Sequence, residues 1–329
     1  MVNHMSEGTR VALALGSGGA RGYAHIGVIE ELEAQGFDIV GIAGTSMGAL
    51  VGGLYAAKQL TAYADWARSL SQRDVLRLLD PTITGPGMLR ADKVISKVTE
   101  LVGDVHIEDL GIPFTAIASD LTARKEVWFQ RGRLDTAIRA SIAIPGLITP
   151  VVMNGRLLAD GGLMNPVPVV ATAAIPCDVT VGVSLAGDHV TRLGWPESPV
   201  DEPAGTITEA DEDQGPSAWT DRDLVRTLSA WLDNIRGHVD EDPELPTPQG
   251  HRGSFERLPP GLRTRDVLDL ALDTLRSIVT KYRLAGYPPD VLITIPQDAC
   301  GTMDFHRAKE IIEVGRERTR QALDGATGT

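Results

Sequence analysis

Cysteine is scarce in this 329-residue chain: Cys177 and Cys300 are the two present. They form neither a disulfide framework nor the close spacing of a metal site, so a reducing compartment is expected over secretion. Positive charge is also in deficit. A formal net charge of −13 argues against a nucleic-acid partner, since phosphate backbones are bound through a basic footprint. The same deficit disfavours adhesion to anionic lipid by charge alone. Long apolar runs are missing too. None approaches the roughly 20 residues that span a bilayer, and the polar stretch Met1–Arg10 lacks the apolar core of a secretory signal. No calcium-loop spacing is present, and neither a metal nor a cofactor is expected. These gaps together predict a cytoplasmic protein that meets a membrane only peripherally, at its surface; they leave the oligomeric state open.

What remains is ordinary for a globular chain, with 43% hydrophobic and 23% charged residues and enough length to bury a large core. The stretch that organises it is Gly44-Thr45-Ser46-Met47-Gly48. The apolar run Ile39–Ala43 before it reads as a buried strand, and Met47–Gln59 after it as a buried helix. A serine at a strand end and helix start, with Gly44 and Gly48 two residues to either side, fits a nucleophile elbow. The turn is so sharp that side chains at the glycine positions would collide with strand or helix. A chemically idle glycine turn is the bland alternative.

Upstream, the strand Val11–Leu15 runs into Gly16-Ser17-Gly18-Gly19-Ala20-Arg21-Gly22 and then a helix over Tyr23–Gln35 that stops at Gly36. Strand, glycine loop, helix and second strand make a βαβ unit and predict a parallel sheet. The loop suits either a dinucleotide, with Asp38 as the ribose acid, or an oxyanion hole made of the bare amides of Gly18 and Gly19. The elbow favours the second, because a serine at the end of the next strand has no part in dinucleotide binding. Arg21 reads as a brace for the loop, a contact for a lipid phosphate or an exposed helix-start arginine.

Further on, helices are expected at Thr61–Leu70, capped by Thr61, and at Asp92–Val102, with a loop between them that includes Pro81, Gly85, Pro86 and Gly87. Strands follow at Phe114–Ala118 and Glu126–Phe129, and a short helix at Leu134–Ala140. Asn154-Gly155 marks a hairpin between Val151–Met153 and Arg156–Ala159. That hairpin delivers Asp160-Gly161-Gly162, where an aspartate taken by itself is more often a turn former than a catalyst. A helix opened by Pro166 and Pro168 is predicted over Val167–Ile175, then a strand at Val179–Leu185.

From Gly187 to Leu262 the composition shifts. Six basic and sixteen acidic residues place most of the net charge there, and the Pro, Gly, Asp and Glu of Gly187–Ala218 read as a poorly ordered insertion. Leu224, Leu228, Trp231, Leu232 and Ile235 form one apolar helical stripe, which either packs on the core or, with Trp219, lies at a lipid boundary as a lid. A long amphipathic helix at Arg265–Leu284, a strand at Val291–Ile295 and a helix at Phe305–Leu323 close the chain. The expected plan is a flexible stretch 1–10, a catalytic region 11–186, the insertion 187–262, and 263–329 completing the first domain.

The ordered set Gly16–Gly22, Gly44–Gly48 and Asp160–Gly162, with Ala140–Gly146 between, resembles the patatin-like phospholipase family in its bacterial form. The resemblance covers residues 11–185 well and 290–323 more loosely. It implies a three-layer α/β/α fold with a parallel-rich central sheet and helices on both faces. It also implies Ser46 as nucleophile and Asp160 as its base, a dyad without histidine, with Gly18 and Gly19 as the oxyanion loop. Gly44, Gly48, Gly161, Gly162 and Arg21 are the supporting residues. The implied substrate is an acyl ester of a lipid. Ser17 departs from the pattern, standing where many members have a glycine. Three rival readings stay open: a Ser-His-Asp esterase using His189, His238, His251 or His306, an acyltransferase working through the same acyl-enzyme, and an inactive lipid-binding module.

Overall fold

A computed structural model describes residues 7–78, 87–89, 92–187 and 264–327. The chain divides into two units, one of residues 1–193 with 263–329 and one of residues 194–262; the predicted lid helix and Trp219 fall in the second, outside the described residues.

The first unit is built on an eight-stranded sheet. Its parallel part comprises β1 (Arg10–Leu15), β2 (Asp38–Thr45), β4 (Phe114–Asp120), β9 (Val179–Gly187) and β10 (Val291–Pro296), in the order β10-β9-β1-β2-β4. The inner strands are covered on both faces: β1 is buried from Val11 to Leu15, and β4 along its whole length. Antiparallel strands β5 (Lys125–Phe129), β7 (Val151–Met153) and β8 (Arg156–Asp160) extend the sheet beyond β4. A separate parallel pair joins β3 (Gly87–Leu89) and β6 (Gly146–Ile148). The helices are α1 (Ala24–Ala34), α2 (Met47–Ala56), α3 (Leu60–Ser69), α4 (Gln72–Leu78), α5 (Asp92–Val102), α6 (Leu134–Ser141), α7 (Thr264–Gly286) and α8 (Ala308–Thr327). The result is the expected three-layer α/β/α fold. Among the described residues no helix is long and apolar enough to cross a membrane.

The register around β4 positions the site. Ala116 and Ile117 pair with both β2 and β5, while Ala118 pairs with both β5 and β8. A strand has two edges, so β2 and β8 share one and β5 takes the other. Along the shared edge β2 ends with Thr45 opposite Ile117, and β8, running the other way, ends with Asp160 opposite Ala118. Two strands therefore meet end to end, and their last residues face neighbouring positions of β4.

The α1 helix crosses α8 closely enough that a Cβ at Gly27 would strike the Ile312 carbonyl, and one at Gly315 the Ala24 carbonyl. That contact holds the closing segment beside the glycine loop.

Three expectations need correction. Thr61 is not a cap: α3 begins at Leu60, which is buried, and no side chain caps its start. Part of the stretch expected as a loop is α4, opened by a reciprocal capping box in which Asp74 accepts the Ser71 amide (3.0 Å) and Ser71 Oγ accepts the Asp74 amide (3.3 Å). The Val167–Ile175 helix shrinks to a 3-10 turn at Val169–Thr172. Pro166 and Pro168 supply no N–H, and the Thr172 hydroxyl donates to the Val169 carbonyl (2.7 Å).

Candidate active site

Ser46 sits at the tip of the turn from β2 into α2 with φ 57 and ψ −121, a left-handed conformation that a residue with a side chain seldom adopts. A Cβ at Gly44 would meet the Gly48 carbonyl, and one at Gly48 the Leu15 carbonyl. The strain is held in place from outside. The Ser46 amide donates to Ser141 Oγ (2.8 Å), whose hydroxyl donates to the Ile117 carbonyl (2.5 Å). The Thr45 hydroxyl donates to the Asn165 carbonyl (2.9 Å). Sequence reasoning misses Ser141 and Asn165: both lie within the stretch 11–185 that resembles the family, where no local pattern declares their role.

Asp160 is 1% exposed and receives the Gly162 amide at Oδ1 (2.7 Å). Burial pushes its carboxyl above the ordinary range; Arg276, the Ser46 side chain as a hydrogen-bonding neighbour, and the Gly162 amide pull the other way. Ser46 and Asp160 are thus hydrogen-bonding neighbours. Gly161 leaves no room for a side chain, since a Cβ there would press on the Ile117 carbonyl, and a Cβ at Gly162 would meet Ser17 Oγ.

In the glycine loop, the Ser17 amide donates to the Pro166 carbonyl (2.9 Å) and the Ala20 amide to the Thr302 carbonyl (2.9 Å). The amides of Gly18 and Gly19 between them have no hydrogen-bond partner among the described residues. Beneath the loop, His25 is fully buried with Nε2 2.8 Å from the Gly16 carbonyl. A carbonyl only accepts, so Nε2 carries the proton, and burial lowers the His25 pKa to about 4. The reading of Arg21 as an exposed arginine is overturned. Its Nη1 donates to the carbonyls of Gln297 (3.2 Å) and Cys300 (3.3 Å), bracing the segment that covers the loop, and burial lowers its pKa.

A pocket of about 800 Å³, its mouth included, opens beside Ser46. Its lining is almost entirely apolar: Met47, Tyr63, Trp66 and Ile144 from the catalytic region, Met303 and Phe305 from the closing segment. Leu163, three residues after Asp160, does not line it. His306 faces a surface groove along α8 instead of this pocket, and His189, His238 and His251 lie outside the described residues. Among the described residues no group of three or more His, Cys, Asp or Glu side chains is placed to hold a metal ion.

Known proteins are similar to this chain in sequence. The family described as patatin-like phospholipase matches residues 13–173, a span that encloses the glycine loop, the elbow and the Asp160 turn. An uncharacterized NTE family protein of Mycobacterium tuberculosis is 45% identical over 97% of this chain and 92% of its own length. A neuropathy target esterase of Drosophila persimilis is 35% identical over 49% of this chain and 12% of its own length. The human patatin-like phospholipase domain-containing protein 6 is 31% identical over 56% of this chain and 14% of its own. On these matches the chain belongs to the patatin-like phospholipase family, among the NTE family proteins.

Proposed function

We propose that this protein is a serine hydrolase of lipid acyl esters, of the phospholipase A or lysophospholipase kind, with Ser46 as nucleophile and Asp160 as its base. The end-to-end meeting of β2 and β8 on one edge of β4 carries the reading, because it seats a strained serine beside a buried carboxylate at an apolar pocket. Family membership and the apolar lining support a lipid substrate, met peripherally at a membrane surface.

In the first step Ser46 Oγ attacks the ester carbonyl carbon while its proton passes to Asp160. The carbonyl electron pair moves onto oxygen, where the free amides of Gly18 and Gly19 receive the charge; one such donor contributes roughly 3 kcal/mol. Collapse breaks the ester C–O bond, and the leaving alcohol or lysolipid takes the proton from Asp160. Water then attacks the acyl-enzyme, Asp160 takes its proton, and the second collapse returns that proton to Ser46 and frees the fatty acid. A carboxylate with a pKa of about 4 is a poor base for a hydroxyl; the burial that raises Asp160 improves the match.

The test is hydrolysis of lysophospholipids, phospholipids, acylglycerols and short p-nitrophenyl esters, alongside labelling by a fluorophosphonate probe mapped by mass spectrometry. Acyl release from at least one lipid class with the label on Ser46, both lost in Ser46→Ala, is expected. Undiminished turnover by Ser46→Ala sinks the reading. Transfer of the acyl group to added alcohol in preference to water marks the acyltransferase instead.

A further inference from the structure

Ser17, which departs from the family's pattern, has no part in the steps above. It is half-buried, and its hydroxyl has no hydrogen-bond partner among the described residues. The backbone that carries it is fixed. The Gly16 amide donates to the Val183 carbonyl (3.0 Å) and the Ser17 amide to the Pro166 carbonyl (2.9 Å). Pro166 is itself tied to the Asp160 turn, because the neighbouring Asn165 amide donates to the Gly161 carbonyl (2.9 Å). The free hydroxyl is therefore mounted on the same framework as the base.

Gly162 locates the two oxygens relative to each other. A Cβ there would lie 2.4 Å from Ser17 Oγ and 2.9 Å from Asp160 Oδ1. Two atoms that close to one point are at most 5.3 Å apart, the sum of those distances. A water about 2.8 Å from each of two oxygens bridges separations up to about 5.6 Å. Asp160 Oδ1 accepts the Gly162 amide (2.7 Å) and has a second lone pair to offer; the Ser17 hydroxyl oxygen has two. Any side chain at position 162 would intrude on both.

We propose that Ser17 is a further catalytic residue: its Oγ and Asp160 Oδ1 hold between them the water that attacks the acyl-enzyme. The proposal rests on the Ser46–Asp160 reading above and deepens it, assigning the second half of the reaction a residue of its own. The water donates one O–H to Asp160, which takes that proton, and the other to Ser17 Oγ, which keeps its own proton throughout. Held by both hydrogens, the water presents a lone pair to the carbonyl carbon. The new C–O bond forms as the carbonyl pair moves onto oxygen; collapse breaks the bond to Ser46 Oγ, and Asp160 returns the proton there. Acylation uses no water, so Ser17 acts on deacylation alone. An alcohol has a single O–H. It can give that proton to Asp160 but has none left for Ser17, so this side chain favours water over an alcohol as acyl acceptor.

The experiment is the partition of the acyl group of a p-nitrophenyl ester between water and added methanol, read as the ratio of free acid to methyl ester. That ratio does not depend on which step limits turnover. In Ser17→Gly and Ser17→Ala it is expected to fall about fivefold, the effect of one neutral hydrogen bond. Ser17→Thr restores a hydroxyl and is expected to recover most of the ratio. Fluorophosphonate labelling of Ser46, which needs the nucleophile and the oxyanion loop but no water, is expected to stay within about twofold of the wild type in all three. An unchanged ratio in both Ser17→Gly and Ser17→Ala overturns the proposal while leaving the dyad intact. A labelling rate that falls as far as the ratio also overturns it, making Ser17 a support of the glycine loop. Full turnover by Ser46→Ala overturns the dyad and this proposal together.

Discussion

The two stretches that build the site, residues 11–187 and 264–327, contribute by different physical means. The first works through backbone. A left-handed serine, glycines whose missing Cβ atoms make room for carbonyls, two amides without a partner among the described residues and the abutting ends of two strands set where the atoms lie. The second works through side chains that reach in from a loop: Met303 and Phe305 enter the pocket wall. Backbone-defined parts fail abruptly when altered, whereas side-chain parts lend themselves to gradual tuning. That difference separates the chemistry from its adjustment.

The comparison is tested hardest at the elbow. Ser46→Ala and Asp160→Asn are each expected to lower kcat/KM on a lipid ester by at least about 10³-fold, the scale seen when a nucleophile or its partner is removed. Retention of a tenth of the activity by either would erase the distinction between the two stretches.

His25 comes next, as a buried support of the glycine loop. An unfolded histidine protonates near 6.5 and the folded one at about 4, so between these values the unfolded chain binds the extra proton. Stability is therefore expected to fall as pH drops from about 6.5 and to level off near 4, by roughly 3 kcal/mol over the window. Urea midpoints measured across that range should slope for the wild type and stay flatter for His25→Gln, which keeps a donor toward Gly16. Parallel curves would mean that His25 titrates normally.

Ser141→Ala is expected to cost about 1–3 kcal/mol, because the Ser46 amide is left buried without an acceptor, and to slow fluorophosphonate labelling of Ser46 as the strained turn relaxes. Equal labelling with reduced stability would confine Ser141 to the fold.

The smallest change belongs to the closing segment. Phe305→Ala is expected to raise KM for long-chain esters several-fold, consistent with about 1 kcal/mol of lost apolar contact, with kcat little altered and short esters turned over as before. A collapse of kcat instead would place Phe305 with the backbone-defined parts.

Much of the backbone-defined half was legible in advance. The helix Asp92–Val102 is found at the expected bounds, since its apolar face repeats at helical spacing. The hairpin turns at Asn154 and Gly155, both at positive φ, as their residue types suggest. The α4 helix went unread although Ser71 and Asp74 carry a capping box, because two turns are too short to show a period. Ser141 was likewise visible only as part of a motif. Arg283 sits on a helix whose existence was plain, but nothing in an amphipathic pattern tells which of its arginines pairs with Glu126, 157 residues away in sequence.

By itself the sequence determined the alternation of strands and helices, the elbow, the glycine loop and the Asp160 turn. Each depends on local rules, namely side-chain periodicity, the conformations open to glycine and the absence of an N–H in proline. Only the tertiary structure decided that β8 meets β2 on the edge of β4, that Arg21 braces a loop instead of facing solvent, and that the closing segment completes the pocket. Those depend on strand register and on packing between residues far apart in the chain, which no window of neighbouring residues encodes.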